Sequence, residues 1–157
     1  MTADISYTFN FGWLIENEIA GSRGPKSAEH LEFLRLQGIR ALVRMSDKPG
    51  ISHSEIDIMD FADCHQPVPD LMPPSPAQLD HMLDFISKCI AESKPVAVSC
   101  DGGIGRTATL LVCYLVMKGF NFDESVRQVK EKRPGSILTP EQQKAVEEYA
   151  LRLGRRE

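Results

Sequence analysis

Cys100 and Arg106 stand six positions apart in the segment Val98-Ser99-Cys100-Asp101-Gly102-Gly103-Ile104-Gly105-Arg106-Thr107. The bare spacing is a weak signal, but its setting is specific. The three glycines between them allow positive-φ backbone that curls successive N–H groups toward one point, an arrangement that binds anions. An apolar stretch of helical length follows, Thr107 to Met117, and directs its positive end at the same point. Arg106 adds a planar fork that pairs two oxygens of a phosphate, which a lysine point charge cannot do. The segment therefore reads as a phosphate-binding loop in which Asp101, Gly102, Gly103, Ile104, Gly105 and Arg106 surround the anion.

The same dipoles favour the ionised, nucleophilic form of a cysteine placed at the rim of such a loop. A thiolate beneath a held phosphate is arranged for in-line attack on phosphorus, giving a phosphocysteine that water then hydrolyses. Thr107 is positioned to donate its hydroxyl to the sulfur and ease its departure. An inert buried thiol in a loop that needs glycines for geometry alone is the plainer alternative, and it leaves the arginine and the strand-to-helix setting unexplained. Cys64, Cys89 and Cys113 lack such surroundings and read as structural.

Expelling an aryl oxygen, whose conjugate acid has a pKa near 10, calls for a proton donor on a separate loop. Asp70 fits best. It lies in Pro67-Val68-Pro69-Asp70-Leu71-Met72-Pro73-Pro74, where four prolines in eight positions exclude helix and inner strand and fix an extended loop. The same carboxyl returns as base for the hydrolytic water. Asp60, Asp63 and His65 are weaker candidates, and a solvated turn-forming role for Asp70 is the plain alternative.

The elements that must position these groups are marked by caps and periodicity. Phe11 to Ala20 reads as two short strands around a polar turn, with Trp13 packing in the core. Ser27 caps a helix that stops at Gly38, and Ile39 to Met45 is a β-rich run. A second strand ends near Gln66, although Ile56 to Phe61 is equally helical by periodicity. Ser75, Pro76 and Gln78 form a capping box opening a helix to about Glu92. Pro95 to Ser99 is short and nearly all apolar, as a strand covered on both faces would be, and the sheet centres there. Helices from about Phe122 to Arg133 and from Thr139 to Leu153 follow. The expected fold class is α/β, a central mixed sheet flanked by helices.

Composition bounds the rest. The chain has 157 residues, 42% of them hydrophobic and 25% charged, which suits a single globular domain over 1–157 and excludes disorder. A formal charge of −4 offers no field for nucleic acid, and no apolar run approaches the roughly 20 residues of a membrane span. The start lacks a basic region followed by an apolar stretch, so a cytoplasmic protein with reduced cysteines is expected. No cofactor and no metal cluster are called for.

These residues resemble the cysteine-dependent protein tyrosine phosphatase superfamily, and most closely its small atypical dual-specificity phosphatases of the VHZ type. The resemblance runs through FGWLIENEIAG, VPDLMPPSPAQLD, VSCDGGIGRTATLL and RPGSILTPEQQKAV. It implies a phosphatase-type α/β sandwich with Cys100 as nucleophile, Arg106 as phosphate clamp, Thr107 as sulfur partner and Asp70 as general acid. It also places Gln142 or Gln143 near the hydrolytic water. Ser99 stands where the family usually has His, Asp101 brings a carboxylate into the loop, and Ala108 replaces a glycine. The implied substrate is a phosphorylated protein carrying phosphotyrosine, with phosphoserine and phosphothreonine as further candidates. The loop lacks the lysines of the phosphoinositide enzymes, and no aromatic recognition loop of the larger tyrosine-specific enzymes is evident, so a shallow pocket is expected. A phosphate-binding module with low turnover and an RNA 5′-triphosphatase are the rival readings.

Overall fold

In the strand Val96–Cys100 every residue is buried, because the sheet is covered on both faces at that point. The computed structural model describes residue 5 and residues 8–156. Its strands are β1 (Gly12–Ile15), β2 (Ile19–Arg23), β3 (Ala41–Arg44), β4 (Ala62–His65) and β5 (Val96–Cys100). Its helices are α1 (Ala28–Leu36), α2 (His53–Ile58), α3 (Pro76–Ala91), α4 (Gly105–Met117), α5 (Phe122–Lys132) and α6 (Pro140–Arg156). The sheet order is β1-β2-β5-β3-β4, with β1 antiparallel to β2 and the other pairs parallel. This is the mixed sheet expected from the sequence.

Strand alternation divides the interior into two cores. Ile19, Val43, Val96 and Val98 face a cluster built from α3, α4 and α6, whereas Ala20, Leu42 and Ala97 face Leu31, Phe33 and Leu34 of α1 and Ile56 of α2. Helix α4 is buried continuously from Arg106 to Val116, and Cys113 lies within its core. Each fully buried leucine there contributes about 1.5–3 kcal/mol, an upper estimate because unfolded chains already bury some surface.

The caps form as the sequence dictates. Ser27, Ser52 and Ser75 each accept from the amide three residues on, and Gln78 closes the capping box on Ser75. Thr139 and Gln142 exchange reciprocal hydrogen bonds at the start of α6, at 2.9 and 3.1 Å. The ambiguous segment resolves as a short helix, α2, followed by β4, which ends at His65. Helix α4 begins at Gly105, two residues before the expected start at Thr107, because glycine and arginine join its first turn without a side-chain cap. Helix α6 runs beyond Leu153 to Arg156.

Because β2, β5, β3 and β4 run parallel, their carboxyl ends share one edge. The loops after them converge there: Gly24 to Lys26, Ser46 to Ser52, Gln66 to Pro74 and Asp101 to Ile104. Ligands bind at such an edge in open α/β sheets.

Candidate active site

Cys100 ends the central strand and is 2% exposed, and the Thr107 hydroxyl donates to its sulfur at 3.1 Å. The loop from Asp101 to Ile104 turns the chain into α4. Among the described residues, the amides of Gly102, Gly103 and Ile104 donate to no partner, leaving them available to an anion. Of the three loop glycines only Gly103 has positive φ, at 70°. A Cβ there would also meet the backbone of Ser22 at 2.7 Å, so both torsion and space demand glycine. The expectation that all three glycines supply positive φ is corrected. Gly105 instead makes room for the Gln142 side chain, which a Cβ would approach at 3.3 Å.

Arg106 is also 2% exposed and is held by four groups. Its Nη1 donates to the Val68 carbonyl at 2.6 Å and lies 3.4 Å from Asp47, while its Nη2 lies 3.5 Å from Asp70 and 3.4 Å from Asp101. Its Nε is buried with no hydrogen-bond partner. A buried, unpaired guanidinium donor beside free loop amides is the complement of an oxyanion. The chain thus brings Cys100, Arg106, Thr107 and Asp70 together, from a strand end, a helix start and the proline loop.

Asp70 projects from that loop with its side chain 69% exposed, and its Oδ1 accepts the amide of Leu71. Leu71 has φ of 68°, a region unfavourable for a branched residue. The loop is pinned by α6: Thr139 Oγ1 donates to the Leu71 carbonyl at 3.1 Å and Gln142 Nε2 to that of Met72 at 3.2 Å. Gln142 is fully buried against Gly105, whereas Gln143 is exposed and no described contact ties it to the loop. Of this pair only Gln142 is placed at the site.

The rival acids are elsewhere or committed. Asp60 precedes β4, at the opposite edge of the sheet. Asp63 is buried and gives both oxygens to Arg44, at 2.8 and 2.7 Å, with His53 on one of them. Burial opposes ionisation there, but those hydrogen bonds prevail and hold its carboxyl below the usual range. His65 Nε2 bonds the Ser46 carbonyl.

Asp101 does not lie free in solvent. It bonds the Ser46 hydroxyl, pairs with Lys48 at 3.3 Å and reaches Arg106. Partial burial pushes its carboxyl up, yet Ser46, Lys48 and Arg106 together hold it below the ordinary value. Burial pushes the thiols of Cys64 and Cys113 up to about 11 and about 12, in keeping with structural roles.

Three residues at the site escaped the sequence reading. Asp47 lies three residues past the end of β3, and its place beyond a strand's carboxyl end was the available signal. Arg133, 5% exposed, donates to the carbonyls of Gly103 at 2.8 Å, Gly21 at 2.7 Å and Gly12 at 3.2 Å. Burial lowers its pKa to about 10, against an opposing effect of Cys100. Asn10 Nδ2 donates to Gly102 and Gly103 at 3.1 and 3.4 Å. Arg133 and Asn10 thus brace the loop from behind, and the Ser99 carbonyl is held by the Met45 amide.

A family model described as a DSP-PTPase phosphatase of polymorphic toxin systems, Tc-R-P, matches residues 20–120. The chain belongs to this family. The DSP-PTPase chain is 28% identical to mouse dual specificity protein phosphatase CDC14B over 152 residues, covering 85% of itself and 30% of that protein. It is 25% identical to the tyrosine-protein phosphatase cdc-14 of Caenorhabditis elegans over 161 residues, covering 88% and 21%. It therefore spans less than a third of the length of these curated relatives. The crystal structure of Tk-PTP in its active form superposes with a TM-score of 0.84 at 30% identity, covering 91% of this chain and 97% of that one. PTPMT1, at 17% identity and a TM-score of 0.84, covers 93% and 97% and shares the fold. The DSP-PTPase fold is the phosphatase-type sandwich that the sequence led one to expect.

Proposed function

We propose that the chain is a metal-independent protein phosphatase that hydrolyses phosphotyrosine, and phosphoserine or phosphothreonine where the shallow site admits them. The observation that carries this reading is the buried pair Cys100 and Arg106 flanking one loop, with the arginine's Nε unpaired and Asp70 3.5 Å from its Nη2.

In the first step the Cys100 thiolate forms an S–P bond while the bond from phosphorus to the aryl oxygen breaks. The leaving oxygen keeps the electron pair and takes the proton of the Asp70 carboxyl. Arg106 and the free amides of Gly102, Gly103 and Ile104 stabilise the equatorial oxygens. In the second step water attacks phosphorus, Asp70 takes its proton, and the S–P electron pair returns to sulfur, where the Thr107 hydroxyl stabilises it. Gln142, packed on Gly105, is the residue of the Gln142–Gln143 pair suited to orient that water. The 157-residue stretch works as one catalytic domain, in a reducing, cytoplasmic setting that suits four free cysteines. Among the described residues no helix is long and apolar enough to cross a membrane.

The low-turnover binding module keeps one observation in its favour: Arg106 is already shared among Asp47, Asp70 and Asp101. Steady-state hydrolysis of a phosphotyrosine peptide by the wild type and by Cys100→Ser separates the two. Turnover by the wild type, lost in the variant while the variant still binds the peptide, supports the phosphatase. Equal turnover by both removes Cys100 from the mechanism.

A further inference from the structure

Beside the phosphate loop, on the side of Asp101, lies a cavity of about 480 Å³ between the β2–α1 loop and the β3–α2 loop. Lys26, Lys48, Arg44, His53 and His65 line it, and Asp101 is the single carboxylate among its lining residues. That balance is unusual in a chain with a formal charge of −4. Arg44 is neutralised by Asp63, and Lys48 shares Asp101 with Arg106. Among the described residues, no carboxylate pairs with the ammonium of Lys26.

The loop carrying Lys26 is fixed in relation to the reacting centre. The Gly24 amide donates to the Cys100 carbonyl at 2.7 Å, and the Lys26 amide donates to His30 Nδ1 at 2.9 Å. His30 is itself stacked on Phe9, with ring centroids 4.6 Å apart. The walls contain Pro25 and Pro49, which restrict the backbone further. The backbone of Lys26 is therefore fixed two residues from a hydrogen bond to the nucleophile's own carbonyl, and its side chain is exposed at the cavity wall. Asp101 joins the cavity to the phosphate site, since it touches Lys48 on one side and Arg106 on the other.

We propose that this cavity is a subsite for a second anionic group on the substrate, a carboxylate or phosphate carried by a residue next to the phosphorylated one, with Lys26 and Lys48 as the cations that recognise it. The inference rests on the phosphatase reading of the adjoining loop. It makes the enzyme selective among phosphopeptides although the chain as a whole is acidic, and it does so through KM, because the group bound is remote from the reacting bonds.

The test compares wild type and Lys26→Ala on four substrates: a small aryl phosphate, a phosphotyrosine peptide with neutral flanks, the same peptide with acidic flanks, and a doubly phosphorylated version. Lys26 touches neither Cys100 nor Arg106, so the first two substrates should change less than twofold. The acid-flanked or doubly phosphorylated peptide should lose about three- to tenfold in kcat/KM through KM, as expected for a partly exposed charge pair. The loss should shrink in high salt, and the anion that loses more identifies the source of the charge. Equal losses on all four substrates, or no loss on either anionic peptide, overturn the proposal. Binding of the same peptides to Cys100→Ser with and without Lys26→Ala separates this from the activity. Preference for anionic flanks in binding without any turnover by the wild type would sink the phosphatase reading and keep the subsite, and turnover without that preference would do the reverse.

Discussion

Replacing Asp101 by Asn should make the loop bind inorganic phosphate more tightly. The carboxylate lies 3.4 Å from Arg106 Nη2, the group assigned to hold the anion. A phosphate oxygen bonded to that guanidinium sits about 2.8 Å from its nitrogen, which places the phosphate within about 6 Å of the carboxylate. Repulsion between a dianion and one negative charge at that separation is about 1.4 kcal/mol at the dielectric of bulk water, and about four times that at an effective dielectric near 20. The Asp101 side chain is 22% exposed, so the lower figure sets the scale, and it corresponds to about tenfold in affinity. Asparagine keeps an oxygen for the Ser46 hydroxyl, so the anchor to the β3–α2 loop survives while the charge is lost. The assay is the inhibition constant of inorganic phosphate against hydrolysis of an aryl phosphate, at two ionic strengths. The constant should fall about tenfold, and the difference should narrow as salt rises. A variant of unchanged melting temperature that binds phosphate no better, or worse, would show that Asp101 does not compete for Arg106.

Asp70→Asn should slow phosphotyrosine hydrolysis by about 10²–10⁴-fold, as general acids contribute, and an activated aryl phosphate much less; equal losses would reduce Asp70 to a loop former. Asp63→Ala should leave the leaving-group dependence intact but destabilise the fold by about 3–5 kcal/mol in chemical denaturation, because it strands the buried Arg44 guanidinium. Since the Asp63 carboxyl is held below its ordinary value in the folded state, its contribution should be full above about pH 4 and disappear as pH falls through the lower, folded value; denaturation curves that are flat between pH 5 and 2 would contradict this. Activity should persist in chelator and be lost to peroxide, returning with thiol reductant after brief exposure; loss in chelator reversed by a divalent ion would contradict a thiolate mechanism.

What was legible in the sequence is what is encoded locally. The Ser75–Gln78 capping box, the proline loop and the strand, turn and helix around Cys100 all depend on residues within one or two turns of one another, and all form, although only Gly103 of the three glycines takes positive φ and the helix starts at Gly105. The segment from Ile51 to Gln66 was ambiguous because six residues of helix carry too few turns for periodicity to show. The bracing of the phosphate loop was invisible for a different reason. Asn10 and Arg133 meet Gly102 and Gly103 across 92 and 30 residues of chain, and no local pattern reports such contacts. Asp47 carried only a partial signal: its place past the carboxyl end of a strand sets it at the edge where the loops converge, but not against Arg106, which lies 59 positions away.

The reach of Arg133 also bears on how the molecule is made. Its guanidinium ties together Gly12 and Gly21 of the hairpin and Gly103 of the phosphate loop, although it is 121, 112 and 30 residues from them. Chains are made amino end first, so the loop holding Cys100 is synthesised before the side chain that fixes its shape. Until α5 is complete and docked, the hairpin and loop carbonyls await their common donor, and the thiol is held in a loop without its final form. Assembly of the reactive centre is thereby deferred until α5 has been made, when the core around α4 is available to cover it.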